Sequence, residues 1–510
     1  MAISTDSRFK NSIRNTFFAL LAQIVNVFCK FYERQIFIET LGVEYLGLST
    51  AFTGILAVIS FAELGIGSAI IYSLYKPIAE NDTEKINSLM SIFKKSYYII
   101  GTLVLLIGSG ITPYLSFFIK DIPDIADIEY IYLLIVLYSG LEYFFSYNIS
   151  FLSAIQRGDI TFKVEIIYSL IKIISQVSVL IFFKNYFLYM FITILSTLIK
   201  YCYIYMYIYR TYPFFREKPK KLARIDLAAL KKYIFSIFIY KIGKTISATI
   251  DTILISKFLG VIEVALYSNY NIIISYSNTF FISILGAVCP SVGNFMAQCN
   301  TQKKEHLFSI LQMIYYWIST YFAVGLYVLL NPLIELWLGK DYLLSQTIVL
   351  ALVISLTITN FQRPCSLIRD TCGLFQYGRL RPLAMGVINL SISLYLIPKI
   401  GILGVLIGTI LSKLITFAWY DPYIAYKYVL GKGLSKYFIK YFKHWIILII
   451  LLYICNYIHI ITPFTGLFKF ILGIVNITIV VNFTFFILYF KTNEWQYISS
   501  QFKNLLSKRR

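Results

Sequence analysis

The chain predicts an all-α polytopic membrane protein of about 14 transmembrane helices, and three observations predict it. Apolar residues make up 58% of the 510, and the mean hydropathy of +0.72 lies beyond the range of a water-soluble domain. They gather into runs of about 20, the length at which a helix crosses the hydrocarbon core. The loops joining the runs alternate between basic and basic-poor. Only helices or closed barrels satisfy backbone hydrogen bonds in lipid, and these runs are too long for barrel strands.

The runs lie near residues 16–38, 45–75, 97–118, 129–155, 162–183, 186–209, 233–257, 262–296, 307–330, 344–362, 383–398, 401–426, 444–461 and 466–490. Loops on one face, with the two termini, hold 33 of the 46 lysines and arginines, and loops on the other hold 5: Lys120, Lys184, Lys257, Lys340 and Lys399. The remaining 8 fall inside runs. Excess lysine and arginine marks cytoplasmic loops, so both termini are expected in the cytoplasm. The net charge of +21 follows from that topology and from attraction to anionic inner-leaflet lipid, so membrane lipids are expected partners and nucleic acid is not. The first run carries no small-residue cleavage site and leads into a second, so no cleavable signal peptide is expected. The seven cysteines suit neither a disulfide framework nor a zinc site, and His306, His444 and His459 sit near run ends; no metal is expected.

Two halves of the chain repeat. Thr193-Ile194-Leu195-Ser196-Thr197-Leu198-Ile199 recurs as Thr409-Ile410-Leu411-Ser412-Lys413-Leu414-Ile415, an offset of 216, and Leu41-Gly42-Val43 recurs as Leu259-Gly260-Val261, an offset of 218. The expected organisation is an N-terminal six-helix half (1–209), a basic cytoplasmic linker (210–232), a pseudo-symmetric C-terminal six-helix half (233–430), helices 13 and 14 (431–490) and a basic amphipathic cytoplasmic tail (491–510) lying along the inner surface. Both halves start from the same side, so the repeat is parallel, and such pairs of halves enclose a central transport cavity.

The chemistry lies where charge is expensive. The first run carries Gln23, Asn26, Lys30, Glu33 and Arg34, spaced by threes and fours along one stripe. Glu63 closes a polar series in the second run. The seventh carries Lys241, Lys244, Ser247 and Asp251 on one face, and the eighth carries Ser268, Asn271, Ser275 and Asn278 in the same rhythm. The offset of 218 aligns Glu33 with Asp251. A charge at the bilayer centre costs roughly 2.5–3.5 kcal/mol on insertion scales, so the six in the first and seventh runs would cost on the order of 15–20 kcal/mol if they faced lipid. They must face one another or water. One reading is structural, with Glu33–Arg34 or Lys244–Asp251 pairs fixing helix register. The other is a hydrated, net cationic cavity between the halves. There Lys30, Arg34, Lys241 and Lys244 outnumber the acids and suit phosphate oxygens, with Lys172 and Lys413 as further lining candidates. Glu142 and Glu165 are expected near helix ends.

Several segments resemble a known family. Asn15-Thr16-Phe17, the run Glu39-Thr40-Leu41-Gly42-Val43-Glu44-Tyr45-Leu46-Gly47-Leu48, and Phe61-Ala62-Glu63-Leu64-Gly65-Ile66-Gly67 look like the opening of the Wzx-type polysaccharide flippases, of the multidrug/oligosaccharidyl-lipid/polysaccharide exporter superfamily. Asp251 through Gly260, Ala265 through Tyr270, Arg369 through Phe375 and Ile388 through Ile402 are similar to that family's second half. The resemblance spans nearly the whole chain, but its motifs are mostly packing residues that identify family better than substrate.

It implies a flippase of the bacterial cytoplasmic membrane, not an enzyme. The expected cargo is an undecaprenyl-pyrophosphate-linked oligosaccharide repeat unit, moved from inner to outer leaflet by alternating access for capsule, O-antigen or exopolysaccharide. A polymerase and other glycan-assembly proteins are the implied partners. No cofactor is expected and no GxxxxGK[ST] loop occurs, so the membrane potential would help drive the step, with Glu33, Glu63 and Asp251 as candidates for coupling to a proton or sodium ion. Alternatives within the superfamily are a flippase of lipid II or another lipid-linked precursor, in which helices 13 and 14 form a lipid groove, and a drug exporter, whose cavity would be net acidic. The alternative of another class is a membrane polysaccharide polymerase, against which the short outer loops argue; the acidic stretch Asp121, Asp124, Asp127 and Glu129 reads as a solvated loop.

Overall fold

The computed structural model describes residues 8–59, 66–120, 122–125, 127–220, 245, 249–298, 300–372, 374, 377–378, 380–431 and 433–507. They form helices and connecting turns, with no strand among the described residues. In chain order the helices are α1 (Arg8–Leu41), α2 (Val43–Ile59), α3 (Ile66–Ala79), α4 (Thr83–Ile111), α5 (Ile128–Ala154), α6 (Gly158–Phe183), α7 (Tyr186–Thr211) and α8 (249–259). They continue with α9 (Val261–Gln298), α10 (Thr301–Leu338), α11 (Gln346–Thr371), α12 (Arg381–Ile400), α13 (Ile402–Thr416), α14 (Tyr420–Ala425), α15 (Ser435–Ile461), α16 (Gly466–Tyr489) and α17 (Asn493–Ser507). The described residues of each run lie on one or more of these, the run at 233–257 being described only at 245 and 249–257 and the run at 45–75 only outside 60–65, and ten helical stretches among the described residues are long and apolar enough to cross a membrane. The expected all-α membrane fold is therefore the observed one. Several boundaries move: α4 begins fourteen residues before the run at 97–118, α1 begins eight before the run at 16–38, α10 ends eight past the run at 307–330, α11 runs nine past the run at 344–362, and α15 begins nine before the run at 444–461, which puts His444 inside a helix.

The chain divides into two compact units, Met1–Ala265 and Leu266–Arg510. In the first, the apolar core gathers at the two ends of the bundle. One cluster joins Ile70 and Leu74 of α3, Phe93 and Tyr97 of α4, Phe151 of α5 and Ile204 of α7. The other joins Phe37 of α1, Phe52 of α2, Tyr132 and Val136 of α5, Leu180 of α6 and Met190 of α7. The stretch between them, at the middle depth of α1, α5, α6 and α7, holds the polar side chains described below. The helix α8 belongs to this unit: a Cβ on Gly54 would touch Thr252, and the Lys120 amide donates to the Ser256 carbonyl at 3.0 Å.

In the second unit α11 is the central helix. Of its most apolar stretch 78% is buried, against at most 39% for any other span. Phe361, Cys365 and Ile368 pack against Phe308 and Tyr316 of α10 and Tyr437 and Tyr441 of α15. The last two spans, α15 and α16, pack on α10. The tail helix α17 packs there too, with Trp495 against Trp317 and Phe486, and Glu494 3.7 Å from Lys440.

Several local backbone features recur at offsets of 217–218 residues. Gly42 (φ 94°) ends α1 and Gly260 (φ 101°) ends α8 in the same left-handed conformation, which an L side chain resists. Lys184 (φ 47°, ψ 39°) joins α6 to α7, and Gly401 (φ 60°, ψ −138°), 217 residues on, joins α12 to α13, both at positive φ but in different conformations. Asp82 caps α4 by accepting from the Lys85 amide at 2.8 Å, and Asn300, 218 residues on, caps α10 by accepting from the Lys303 amide at 3.1 Å.

The amino-terminal part of the expected linker, 210–220, is fastened to the first unit. Asn87 donates to the carbonyls of Phe214 (3.0 Å) and Glu217 (2.9 Å), Phe215 packs on Phe151, and Lys220 pairs with Glu84 at 2.7 Å.

Candidate functional site

The stripe read along the first run becomes a contact seam, because α1 lies along α6. Ser169 donates to Asn26 Oδ1 at 2.5 Å. Gln23 is half-buried on the same side. One turn beyond Ser169, Lys172 sits with its Nζ 5.9 Å from the centroid of the Tyr168 ring, within electrostatic range of Glu33, Lys30, Lys200 and Glu142. The seam runs on into α7, where Gln176 donates to Thr193 Oγ1 at 2.7 Å and the Tyr168 and Thr197 hydroxyls lie 2.7 Å apart.

The acids of this layer are held in two ways. Glu33 accepts from the Tyr189 phenol, and Glu142 accepts from Tyr138 at 3.1 Å. Glu165 instead pairs with Lys200 at 3.3 Å, whose ammonium also lies 4.6 Å from the Tyr168 ring centroid and 4.9 Å from that of Tyr201. A phenol leaves the carboxylate charge in place, whereas an ammonium cancels it. Among the described residues no carboxylate lies within ion-pair distance of Lys30 or Lys172. Lys30 is exposed; Arg34 and Lys172 are half-buried. Among the described residues, four cations (Lys30, Arg34, Lys172, Lys200) thus share the layer with three carboxylates (Glu33, Glu142, Glu165). Glu142 and Glu165 lie within the bodies of α5 and α6, not near helix ends.

Asp251 on α8 is 7% exposed. Lys241, Lys244, Ser247 and Glu63 lie outside the described residues. In the second unit Asn271 is half-buried and Ser275 exposed on α9. Asn278, one helical repeat on, accepts from Arg363 of α11. Lys413 of α13 donates to the Ser355 carbonyl (3.0 Å) and hydroxyl (2.8 Å) of α11, which ties it to its neighbouring helix.

Sequence reasoning missed Arg363. Counted with a basic loop, it lies inside α11, 8% exposed. Its Nε donates to Asn360 Oδ1 at 2.7 Å and its Cζ lies 6.0 Å from the Phe281 ring centroid. The signal available was that the apolar run does not stop at Arg363-Pro364 but resumes at Cys365. The same counting missed a buried ion network, in which Arg369 (2.7 Å), Arg381 and Ser366 (2.7 Å) all donate to the fully buried Asp421. Its counterpart in the first unit is Asp159, 1% exposed, met by Arg14 at 3.2 Å and Arg157 at 3.2 Å. Its amide donates to Asn15 Oδ1 at 2.8 Å, so the start of α1 is bound to the start of α6.

The sequence model of a family described as polysaccharide biosynthesis protein matches residues 12–296. No curated protein matches the chain. The fold is similar to the lipid II flippase MurJ in an inward closed conformation, with a TM-score of 0.65 and 16% identity over 94% of this chain and 99% of that one. It is similar to an inward-facing multidrug resistance MATE family transporter of the MOP superfamily, with a TM-score of 0.59 and 14% identity over 80% and 98%. A MOP superfamily transporter from Pyrococcus furiosus Vc1 also matches, with a TM-score of 0.53 and 15% identity over 83% and 97%. At these identities the likeness is one of fold.

Proposed function

The chain belongs to the polysaccharide biosynthesis protein family and carries the fold of the MOP superfamily transporters, and from that premise we propose that it is a flippase for polyprenyl-pyrophosphate-linked oligosaccharide repeat units. The observation that carries this reading is the cationic surplus at mid-depth of the first unit, above all Lys30 and Lys172, which have no carboxylate at ion-pair distance among the described residues. A cation kept in an apolar span without a counter-charge is costly unless an anion or water meets it during function. The cargo supplies that anion: a pyrophosphate and its sugars cannot cross hydrocarbon unaided, and ammonium groups offer donors to phosphate oxygens.

In this mechanism Lys30, Arg34 and Lys172 receive the pyrophosphate while the lipid tail stays in the bilayer. The protein then alternates between inward- and outward-open states. An inside-negative potential favours outward movement of an anion by about 2.3 kcal/mol per charge per 100 mV. Glu33 and Asp251 are the groups that could couple the step to a proton or sodium ion. The proposed setting is the bacterial cytoplasmic membrane with both termini inside, beside glycosyltransferases and a polymerase that make and consume the cargo. A drug exporter of the same superfamily would call for the opposite sign of charge. In the Pyrococcus furiosus transporter, reversed polarity of the binding pocket suggests a different function.

The test is replacement of the two lysines at matched protein level. Lys30→Ala and Lys172→Ala should each abolish surface glycan and cause lipid-linked repeat units to accumulate, while Lys172→Arg retains export. Normal surface glycan in both alanine variants overturns the proposal.

A further inference from the structure

We propose that Arg363 and Tyr315 form a second anion-binding site, in the Leu266–Arg510 unit, that takes an oxyanion, phosphate or carboxylate, of the cargo. The naming of the cargo rests on the transport reading above; the site itself rests on geometry.

A guanidinium carries five N–H donors in a planar fork. Here Nε–H goes to Asn360 Oδ1 and one Nη2 hydrogen goes to Asn278 Oδ1, which leaves three donors. Both acceptors are neutral amides, so the positive charge is oriented but not cancelled. Among the described residues no carboxylate lies within ion-pair distance of Arg363, although its side chain is nine-tenths buried on the most buried helix of the unit. Phe281 supplies a ring face 6.0 Å from Cζ and closes off one side.

Tyr315 of α10 supplies the second, independent sign. Its ring centroid lies 6.4 Å from that of Phe281, it is within electrostatic range of Arg363, and it is 2% exposed. Its hydroxyl is buried and makes no hydrogen bond among the described residues. Buried hydroxyls are almost always satisfied, and one left bare within electrostatic range of a part-used guanidinium is open to an acceptor. Such an acceptor takes the phenol proton and the open edge of the fork together, which an oxyanion does with two or three oxygens. A purely structural staple between α9 and α11 would need Asn278, Asn360 and Arg363 but gives the Tyr315 hydroxyl nothing to do.

That difference sets the experiment. The full-length protein, in nanodiscs of phosphatidylcholine, is titrated with inorganic pyrophosphate and separately with glucuronate, and the thermal unfolding midpoint is followed. Pyrophosphate should raise the midpoint of the wild type; a response to glucuronate as well points to an acidic sugar, and a response to pyrophosphate alone points to the head group. Arg363→Gln should weaken the response roughly tenfold or more in ligand concentration. Tyr315→Phe should weaken it about three- to tenfold while leaving the ligand-free midpoint unchanged, since the hydroxyl has no partner to lose. Responses unaltered in both variants, or lost only in Lys30→Ala and Lys172→Ala, overturn the site. Binding to purified protein is read separately from glycan export, so failure here leaves the flippase reading standing, and loss of that reading leaves this site testable.

Discussion

The phenol of Tyr189 meets Glu33 in the membrane interior without neutralising it, and this choice of partner decides the electrostatics of the layer. Removing it in Tyr189→Phe leaves a carboxylate short of a charge-assisted hydrogen bond, and should destabilise the protein by about 1.5–3 kcal/mol, read as a lowered unfolding midpoint in nanodiscs. Lys200→Ala acts through charge instead. It strands Glu165, which is 30% exposed on its side chain, so the loss should fall at or below the ~3 kcal/mol lower bound for a buried pair, and Lys200→Ala/Glu165→Gln should recover much of it. The polar stripe of α1 was legible, because threes and fours between Gln23, Asn26, Lys30 and Glu33 leave little else for that face to be. The partners were not. Tyr189 and Tyr138 are two of 43 tyrosines, and nothing in their local sequence separates a phenol that serves a carboxylate from one that packs.

At the scale of elements, close approach and capping do the specifying. A Cβ on Gly47 of α2 would sit 2.0 Å from the Val261 carbonyl oxygen, which is backbone and cannot swing aside. Gly47→Ala should therefore cost about 3 kcal/mol and lower the yield of folded protein, measured by fluorescence-detected size exclusion. The caps should be milder: Asp82→Ala and Asn300→Ala should each cost about 1 kcal/mol. Helix existence followed from run length. The end of α11 did not, because Arg363 looks like a boundary residue when each arginine is taken as a sign of water. A buried guanidinium held by Asn278 and Asn360 breaks that equation, since the partners come from other helices and from one turn back.

At the scale of the whole molecule, the split of basic residues between the two loop sets, 33 to 5 with Arg363 counted in a loop and 32 to 5 without it, predicts the sides. Fusion of alkaline phosphatase after Asp124 should be active, and fusion after Lys304 inactive; the reverse pattern would invert the topology. The fold was legible because a bilayer permits so few alternatives to a helix. The division into Met1–Ala265 and Leu266–Arg510 reports packing, in which α8 touches α2, whereas a repeat reports only what resembles what. The repeat also has a use in engineering. A gene that states one design twice carries its own suggestions for improvement, and a discrepancy between its copies is a candidate edit. Where the later copy turns with Gly401, the earlier turns with Lys184, a side chain held in a backbone region it resists. Although Gly401 takes a different ψ (−138° against 39°), a glycine meets no Cβ resistance in the left-handed region that Lys184 occupies, so Lys184→Gly should make the protein hardier by about 1 kcal/mol, read as a raised unfolding midpoint.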